Sequence, residues 1–595
     1  MRFAVPEIET PSDDYGLFTF NQSTFTGNAF GDLLLGAPNT TYFAVTGPRD
    51  NAGGAQTGIY GQDQWQVNDR LTVNFGLRWE LLPPFVDKNG IQANFDPNYV
   101  GQGANGQGAV IVNNILLHGL GPAPAFLASF NACGLGAVNP NYNPATCTPV
   151  VTNQQDGLAT GLRQTYLRNF DPRVSIAFRP FRDNKTVIRA GFGIFTVTAL
   201  GQLQNNNESN PQAAVNTWQN NNGGVPLFTF PHVTPVNAGL QFGGGELEQA
   251  TDPHYRDSQS EQWNLTIERE LTSNTSLRVS YVGMNSYRLP VTINLNQTAP
   301  STQPYNFANA PFQNWGVIFS TNNLGNQDYQ ALELEASHRM SRGLSYQANY
   351  TWAHNLSDGQ GDAPATFQGE TRYGLADLNR FDISANKGNV VGTRRQRLLV
   401  SGTYELPFGK GRQWLASSPI LGGIFGGWNL NTITLLETGP YLTPTDSIND
   451  DQTNTDPAGD GSIVRPDRVG NPRQMGAIVS NPGCVQPTGN GITLLNVCAF
   501  APTPTDAGRI GNASVGSLEG PGTIAVSGGL AKVFTIRGNV HLRFESTFTN
   551  LLNHTNYAPP VTNISNPTSF GVLTAQQTAE NAGNRTGQVA LRLEF

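Results

Sequence analysis

The chain has 595 residues, a formal net charge of −8, 13% charged residues and 10% aromatics. With a pI near 5.4 this acidic balance excludes a general nucleic-acid binder, which needs a basic face for phosphates. No window approaches the roughly 20 consecutive apolar residues of a membrane helix, so helical spans are excluded. The mean hydropathy of −0.32 does not exclude membrane strands, in which only every second residue meets lipid.

In chain order, Met1 to Glu7 lacks the apolar core of a secretory signal. Strict alternation of apolar and polar residues then predicts about fourteen strands. They are Gly16 to Phe25, Thr57 to Val67, Leu71 to Leu82, Pro172 to Pro180, Lys185 to Phe195, Ser258 to Leu271 and Thr275 to Met284. The rest are Asp328 to Met340, Gly343 to His354, Gln396 to Leu406, Gly427 to Glu437, Ile524 to Phe534, Asn539 to Asn550 and Thr586 to Phe595. The clearest places Leu71, Val73, Phe75, Leu77, Trp79 and Leu81 on one face, with Thr72, Asn74, Arg78 and Glu80 on the other. Elsewhere the polar face carries Arg173, Ser175, Glu268, Arg278, Glu405, Arg543 and Glu545. Such strands separate oil from water.

The connections give the set a direction. Val67 to Arg70, Phe181 to Asn184, Thr272 to Asn274, Ser341 to Arg342 and Arg537 to Gly538 are tight and rich in turn residues. They alternate with Pro83 to Asp171, Thr196 to Asp257, Asn285 to Gln327, Asn355 to Arg395, Thr438 to Thr523 and Leu551 to Arg585. These exceed the roughly 12 to 15 residues usual for loops in compact domains. One short-side link, Pro407 to Gly426, is intermediate and has room for a brief helix. Short turns on one side and long loops on the other match an outer-membrane barrel, with the turns periplasmic and the loops extracellular. Trp65, Trp79, Phe85, Tyr404, Phe408, Trp414 and Trp428 fall at or just beyond strand ends, where rings suit a lipid–water interface.

The four cysteines form two local pairs inside polar loops, Cys133 with Cys147 and Cys484 with Cys498. Equal spacing in two separate loops suggests two disulfides and an oxidising compartment. Four unpaired thiols are the alternative.

Several strings resemble a known family. Ile59 to Val67 followed by Arg70 to Glu80 resembles the barrel hairpin of TonB-dependent outer-membrane receptors, particularly their Oar-like branch. Ala29 to Gly36, Tyr404 to Gly411, Gly426-Gly427-Trp428, Phe548 to Asn553 and Val589 to Phe595 agree with it. The resemblance implies an all-β fold: a transmembrane antiparallel β-barrel, normally of about 22 strands around a plug, that binds a solute outside and passes it inward on energy from TonB. Residues 1–595 are then read as the C-terminal part of such a receptor barrel, without signal peptide or plug domain. A complete smaller barrel is the alternative. The expected partners are outer-membrane lipid, an unidentified solute, and the barrel-assembly machinery, through a terminal signal at Phe595. The TonB complex joins them only if a plug is supplied.

No enzyme constellation emerges. The histidines at 118, 232, 254, 338, 354, 541 and 554 form neither a His-Glu-x-x-His pair nor a nucleophile elbow. Gly101-Gln102-Gly103-Ala104-Asn105-Gly106 matches a dinucleotide fingerprint only formally, lacking the strand before it and the helix after it. Asp446, Asn449, Asp450, Asp451, Asn454, Asp456 and Asp460 make an oxygen-rich loop whose spacing fits no EF-hand. It is read as a solvated external loop. The expectation is a non-enzymatic outer-membrane receptor barrel with no cofactor, no metal and no nucleic-acid partner; a surface structural or adhesive barrel is the second reading.

Overall fold

The computed structural model describes residues 2–4, 17–20, 25–44, 52–118, 121–122, 124–135, 141–197, 215–220, 225–232, 245–359, 380–409, 411–446, 452–455, 465–486, 491–504 and 507–595. Thirteen long strands form the main sheet: β1 (Ala52–Asn68), β2 (Leu71–Leu81), β3 (Asn169–Phe178), β4 (Thr186–Val197), β5 (Ser258–Thr272), β6 (Thr275–Asn294) and β7 (Trp315–Ser341). It continues through β8 (Leu344–Ser357), β9 (Gln396–Glu405), β10 (Trp428–Glu437), β11 (Thr523–Arg537), β12 (Val540–Thr549) and β13 (Thr586–Glu594). Each pairs antiparallel with the next strand along the chain. No ladder joins β13 back to β1 among the described residues, so the strands make a continuous wall with two ends.

This meander fixes where the connections go. When every strand is antiparallel to its neighbour, successive links fall at opposite ends, so all short links share one end and all long links the other. The short links use turn chemistry suited to hairpins. Asn68 Oδ1 accepts from Arg70 N at 2.9 Å and Leu71 N at 3.0 Å, and Arg342 and Gly343 take φ of 51° and 85° between β7 and β8.

Register sorts the side chains into two faces. Phe75 lies opposite Val174, Val174 opposite Phe192, Phe192 opposite Trp263, and Trp263 opposite Gly283. The Trp263 ring lies over Gly283, where an added Cβ would come within 2.2 Å of the indole. The same face continues through Tyr281, Leu332 and Trp352. Phe75, Val174, Phe192, Leu265, Tyr281 and Trp352 are all exposed. A single layer of sheet has nothing of its own to cover this face.

Three departures from the sequence reading have physical causes. The candidate strand 16–25 is not part of the wall. Within it only Leu17–Thr19 is a strand, paired with Thr40 to Tyr42 in a small separate sheet, and residues 16 and 21–24 lie outside the described residues. Leu17 stands on one side of that segment and Phe18 and Phe20 on the other, so it has no polar face to set against an apolar one. Second, β6 and β7 do not stop at Met284 and Asp328. Their ladder runs on to Asn294 opposite Phe319, past a bulge between Tyr287 and Leu289 where Arg288 takes φ 58°. Beyond the bulge Leu289, Val291 and Ile293 alternate with Pro290, Thr292 and Asn294, and Val291 and Ile293 are buried in a core outside the wall, which carries the pairing on.

Third, several of the long connections build folded bodies among the described residues. The β2–β3 link builds a four-stranded sheet from Ala93–Asp96, Ala109–Val112, Thr148–Thr152 and Ala132–Gly134. Its core gathers Phe95, Val110, Phe130 and Val150 with Val291, Trp315 and Ile318 from the β6–β7 extension. A second core, around Leu495, Val497, Phe500 and Phe570, joins the β10–β11 and β12–β13 links, which also pair Ile492 and Thr493 with Leu573 and Val572. Cys133 and Cys147 are bonded across 5.8 Å between Cα atoms in the first body, and Cys484 and Cys498 across 5.5 Å in the second. Among the described residues the largest fully buried side chains include Phe95, Phe130 and Phe570 of this cap and Trp315 at the outer end of β7, where that strand enters the cap core. Phe85 is buried beside Gly54, so it is not a ring at a lipid boundary. Phe595 follows β13 and is almost fully exposed.

Candidate functional site

The face opposite the apolar one is built from the intervening residues of the same strands, and register brings distant ones together. One row runs Gln62, Gly76, Arg173, Gly193, Gln262, and the next runs Gln64, Asn74, Ser175, Gly191, Asn264. Asn74 Nδ2 donates to Ser175 Oγ at 3.2 Å. Together they line a cavity of about 850 Å³. The glycines leave its floor open: a Cβ on Gly193 would stand 3.2 Å from the Phe195 ring and 3.3 Å from Arg173 Cγ. Arg173 instead lies over the Phe195 ring, 4.4 Å from its centroid. Among the described residues it has no carboxylate within ion-pair distance. Arg78, in the same cavity, is tied to Glu80 and lies near the Tyr60 ring.

A second cavity, of about 830 Å³, lies against β8 to β13. Its floor is the row Ser345, Thr403, Asn431, Gly529, Thr547, Gln588. Thr403 Oγ1 donates to Asn431 Oδ1 at 2.8 Å. Toward the long-link end the row Asn349, Leu399, Leu435, Ala525 turns apolar, and Ala582 from the β12–β13 link covers it. Glu580, also on that link, reaches Arg397 Nη2 at 3.0 Å. Between the two cavities, Arg189 meets Glu268 at 2.7 Å and Arg278 meets Glu335 at 2.7 Å. The polar face thus offers hydroxyls, amides and locally compensated charge around two hollows.

Three perturbed acids lie in the long connections. Asp156 is pushed up to about 7, first by burial and then by the charge and hydrogen bond of Asp96. Burial also raises the Asp257 carboxyl, against the hydrogen bond from Asn169 Nδ2 at 2.7 Å and the charge of Arg163. Asp467 goes the other way. A bidentate hold by Arg509, with both distances 2.8 Å, keeps it below the usual carboxylate range.

The sequence-level candidates fall as follows. Arg173, Ser175, Glu268 and Arg278 all point to the polar face, and the first two line the same cavity. His338 is occupied: its Nδ1 lies 2.8 Å from Thr275 Oγ1, and its ring stacks on Tyr346. Of the oxygen-rich loop, Asp446 accepts from Ser565 and Asn454 donates to Ser301 O. Asn449, Asp450, Asp451, Asp456 and Asp460 lie outside the described residues. Among the described residues no three His, Cys, Asp or Glu come together as a metal site. Gly101 to Gly106 leads into the strand Ala109–Val112 and not into a helix. Alternation did not single out Gln62, Gln262, Asn264, Thr403, Asn431 or Thr547, because only cross-strand register reveals that they share a hollow.

The comparisons with known proteins agree with an outer-membrane wall. Residues 2–588 match the family described as outer membrane beta barrel domain. Among solved structures, the chain is similar to the siderophore receptor PiuA from Acinetobacter baumannii at 10% identity and a TM-score of 0.35, covering 94% of this chain and 44% of that one. It is similar to the outer membrane transporter YddB from Escherichia coli at 9% identity and a TM-score of 0.43, covering 93% and 47%. It is also similar to the pyoverdine outer membrane receptor FpvA from Pseudomonas aeruginosa PAO1 at 10% identity and a TM-score of 0.37, covering 94% and 44%. The chain spans less than half the length of each of these three proteins. No curated protein matches it. On the match over nearly its whole length, the chain belongs to the outer membrane beta-barrel domain family, and its place is the bacterial outer membrane.

Proposed function

We propose that this chain is the wall and external cap of a TonB-dependent receptor that binds a solute at the cap and at the polar face and passes it inward. The observation that supports this reading is the pair of large hollows, each floored by a row of hydroxyl, amide and glycine residues, set into the polar face beneath folded connections. An anchor that only needed to hold a cap in the membrane has no use for hollows floored by Gly76, Gly193 and Gly529. The motifs around Tyr60 to Glu80 and Tyr404 to Gly411 support the same family branch. The ligand contacts are the uncharged polar rows, with Arg173 as the cation left available to an acidic group on the solute.

The test is a depletion assay on intact cells. The gene, in its genomic reading frame, is deleted or restored in paired strains with and without energised TonB, and solutes leaving the medium are profiled by mass spectrometry. The expected result is a solute whose uptake is lost in both defective strains. Uptake that needs the chain but not TonB would replace an energised receptor by a passive channel. No chain-dependent uptake, together with loss of surface attachment, would establish the adhesive reading instead.

A further inference from the structure

The β9–β10 link, intermediate in length, lies at the short-turn end, and it is folded. Phe408 and Trp414 bridge, with Gly409 N donating to Trp414 O at 2.9 Å and Trp414 N to Pro407 O at 3.1 Å. A helix, Pro419–Phe425, follows, capped by Ser418 Oγ, which accepts from Leu421 N at 3.3 Å. Gly409 and Gly426 press together so closely that a Cβ on either would come within 2.8 Å of the other's Cα. The link is therefore a packed unit with a defined orientation.

Two side chains set that orientation. Lys532 Nζ on β11 donates to Gly423 O and, at 2.8 Å, to Ile424 O, the carbonyls at the C-terminal end of the helix. Trp428 Nε1 donates to Ile424 O at 2.9 Å. Lys532 lies across the ladder from Trp428 on one side and Phe544 on the other, and its ammonium is 4.5 Å from the Phe534 ring centroid. All of these side chains stand on the apolar face of the wall. The helix is thus fastened to the outer, lipid-facing surface and not beneath the polar face.

The helix carries no charged residue. Ile420, Leu421, Ile424 and Phe425 recur at helical spacing on one side. All four are exposed, Ile420 at 75% and Phe425 at 52%. This apolar stripe continues the lipid-facing surface at Leu530, which stands on the same face of β11 as Lys532 and is also exposed. A polar helix or a turn projecting into water needs no such stripe. A lysine with its charge pulled to helix carbonyls, beside the rings of Trp428 and Phe534, suits the depth of lipid headgroups.

We propose that the helix Pro419–Phe425 is a membrane-interface anchor. Ile420, Leu421, Ile424 and Phe425 insert among phospholipid acyl chains of the leaflet on the short-turn side, and Lys532 tethers the helix to the wall. The occupant of this surface is phospholipid. The proposal rests on the barrel's place in the outer membrane and is independent of what the barrel transports.

The experiment uses the full chain refolded into phosphatidylethanolamine–phosphatidylglycerol vesicles with both disulfides oxidised. Ile424→Cys is labelled with an environment-sensitive fluorophore, and Val479→Cys, on an external link, serves as the aqueous reference. The label at 424 is expected to be quenched by lipids brominated near the top of the acyl chain, and to show a several-fold lower iodide quenching constant than the label at 479. Iodide quenching equal to the reference, without bromolipid quenching, would overturn the proposal. Lys532→Gln in the labelled Ile424→Cys background tests the tether. Iodide access at 424 should rise while heat-modifiable migration is retained; unchanged access would show that the lysine does not hold the helix.

Discussion

Phe130, from the β2–β3 connection, stacks on Trp315 at the start of β7, with ring centroids 4.5 Å apart and planes 12° from parallel. Trp315 also meets Phe95 edge-on at 5.9 Å, and its Nε1 donates to Thr148 Oγ1 at 3.2 Å. One indole therefore joins a link that begins at β2 to a hairpin that begins at β6. Trp315→Ala should remove about 3–5 kcal/mol from the cap, the usual cost of deleting a fully buried aromatic. Limited proteolysis should then cut within residues 82–168, while the wall keeps its heat-modifiable migration on gels. Simultaneous loss of wall and cap would show that they are one cooperative unit.

Each disulfide closes a sequence separation of 14. A loop of about 15 residues is worth roughly 3 kcal/mol in the chain-entropy account. Reduction, or Cys484→Ser with Cys498→Ser, should lower the melting of the cap seen by near-ultraviolet circular dichroism and leave the far-ultraviolet strand signal in place. Mass spectrometry of non-reduced peptides should find 133 linked to 147 and 484 linked to 498; any other pairing contradicts the structure.

Asp156 introduces a pH dependence with a definite sign. Its folded pKa of about 7 lies above the ordinary 3.8, so the folded cap binds this proton more tightly than the unfolded chain does. The stabilising contribution is complete below about pH 3.8 and is lost as pH rises through about 7. Hydrogen exchange in the turn 152–158 should accordingly be slower near pH 5 than near pH 8 after correction for intrinsic rates. Asp156→Asn, which keeps a donor beside Asp96, should flatten that difference. A dependence that survives the substitution assigns it to another group.

Gly283→Val probes the apolar face. With an indole 2.2 Å from the position of a new Cβ, the Trp263 ring must leave its place, at a cost of about 1–3 kcal/mol typical of overpacking. The change should appear in Trp fluorescence quenching by brominated lipid and as slower refolding into vesicles. Gly427→Val, where no atom lies within 4 Å of the new Cβ but φ is 74°, separates crowding from backbone strain.

All thirteen wall strands are legible in the sequence because each has one face in oil and one in water, and period two records that directly. The cap is not. Ala109–Val112 and Thr148–Thr152 are buried along their whole length, so they carry no alternation and look like apolar flecks in long loops. The β6–β7 extension escaped because Asn285, Ser286 and Arg288 interrupt the alternation before Leu289, Val291 and Ile293 resume it, and because Asn322, Asn323 and Asn326 on the β7 side leave that strand without a continuous apolar face. The hollows were half visible. Arg173 and Ser175 stand out on the polar face, yet Asn74 and Ser175 are 101 positions apart, and only register makes them neighbours.

The 27 residues of β7 give that strand a length of about 90 Å at roughly 3.4 Å per residue, and number between two and three times the roughly 9 to 11 residues that a tilted membrane crossing uses. Its outer part holds the core of the cap and its inner part is sewn into the wall on both edges. Such a strut transmits displacement without slack. Sliding it by one residue would turn every side chain to the wrong face, so a pull on the cap cannot be absorbed by slippage. It must instead tilt the membrane strands or twist the hairpin at its bulge beside Arg288. The outer arm and the membrane-spanning arm are thus one continuous strand, so a load on the cap reaches the wall through backbone as well as through side-chain contacts.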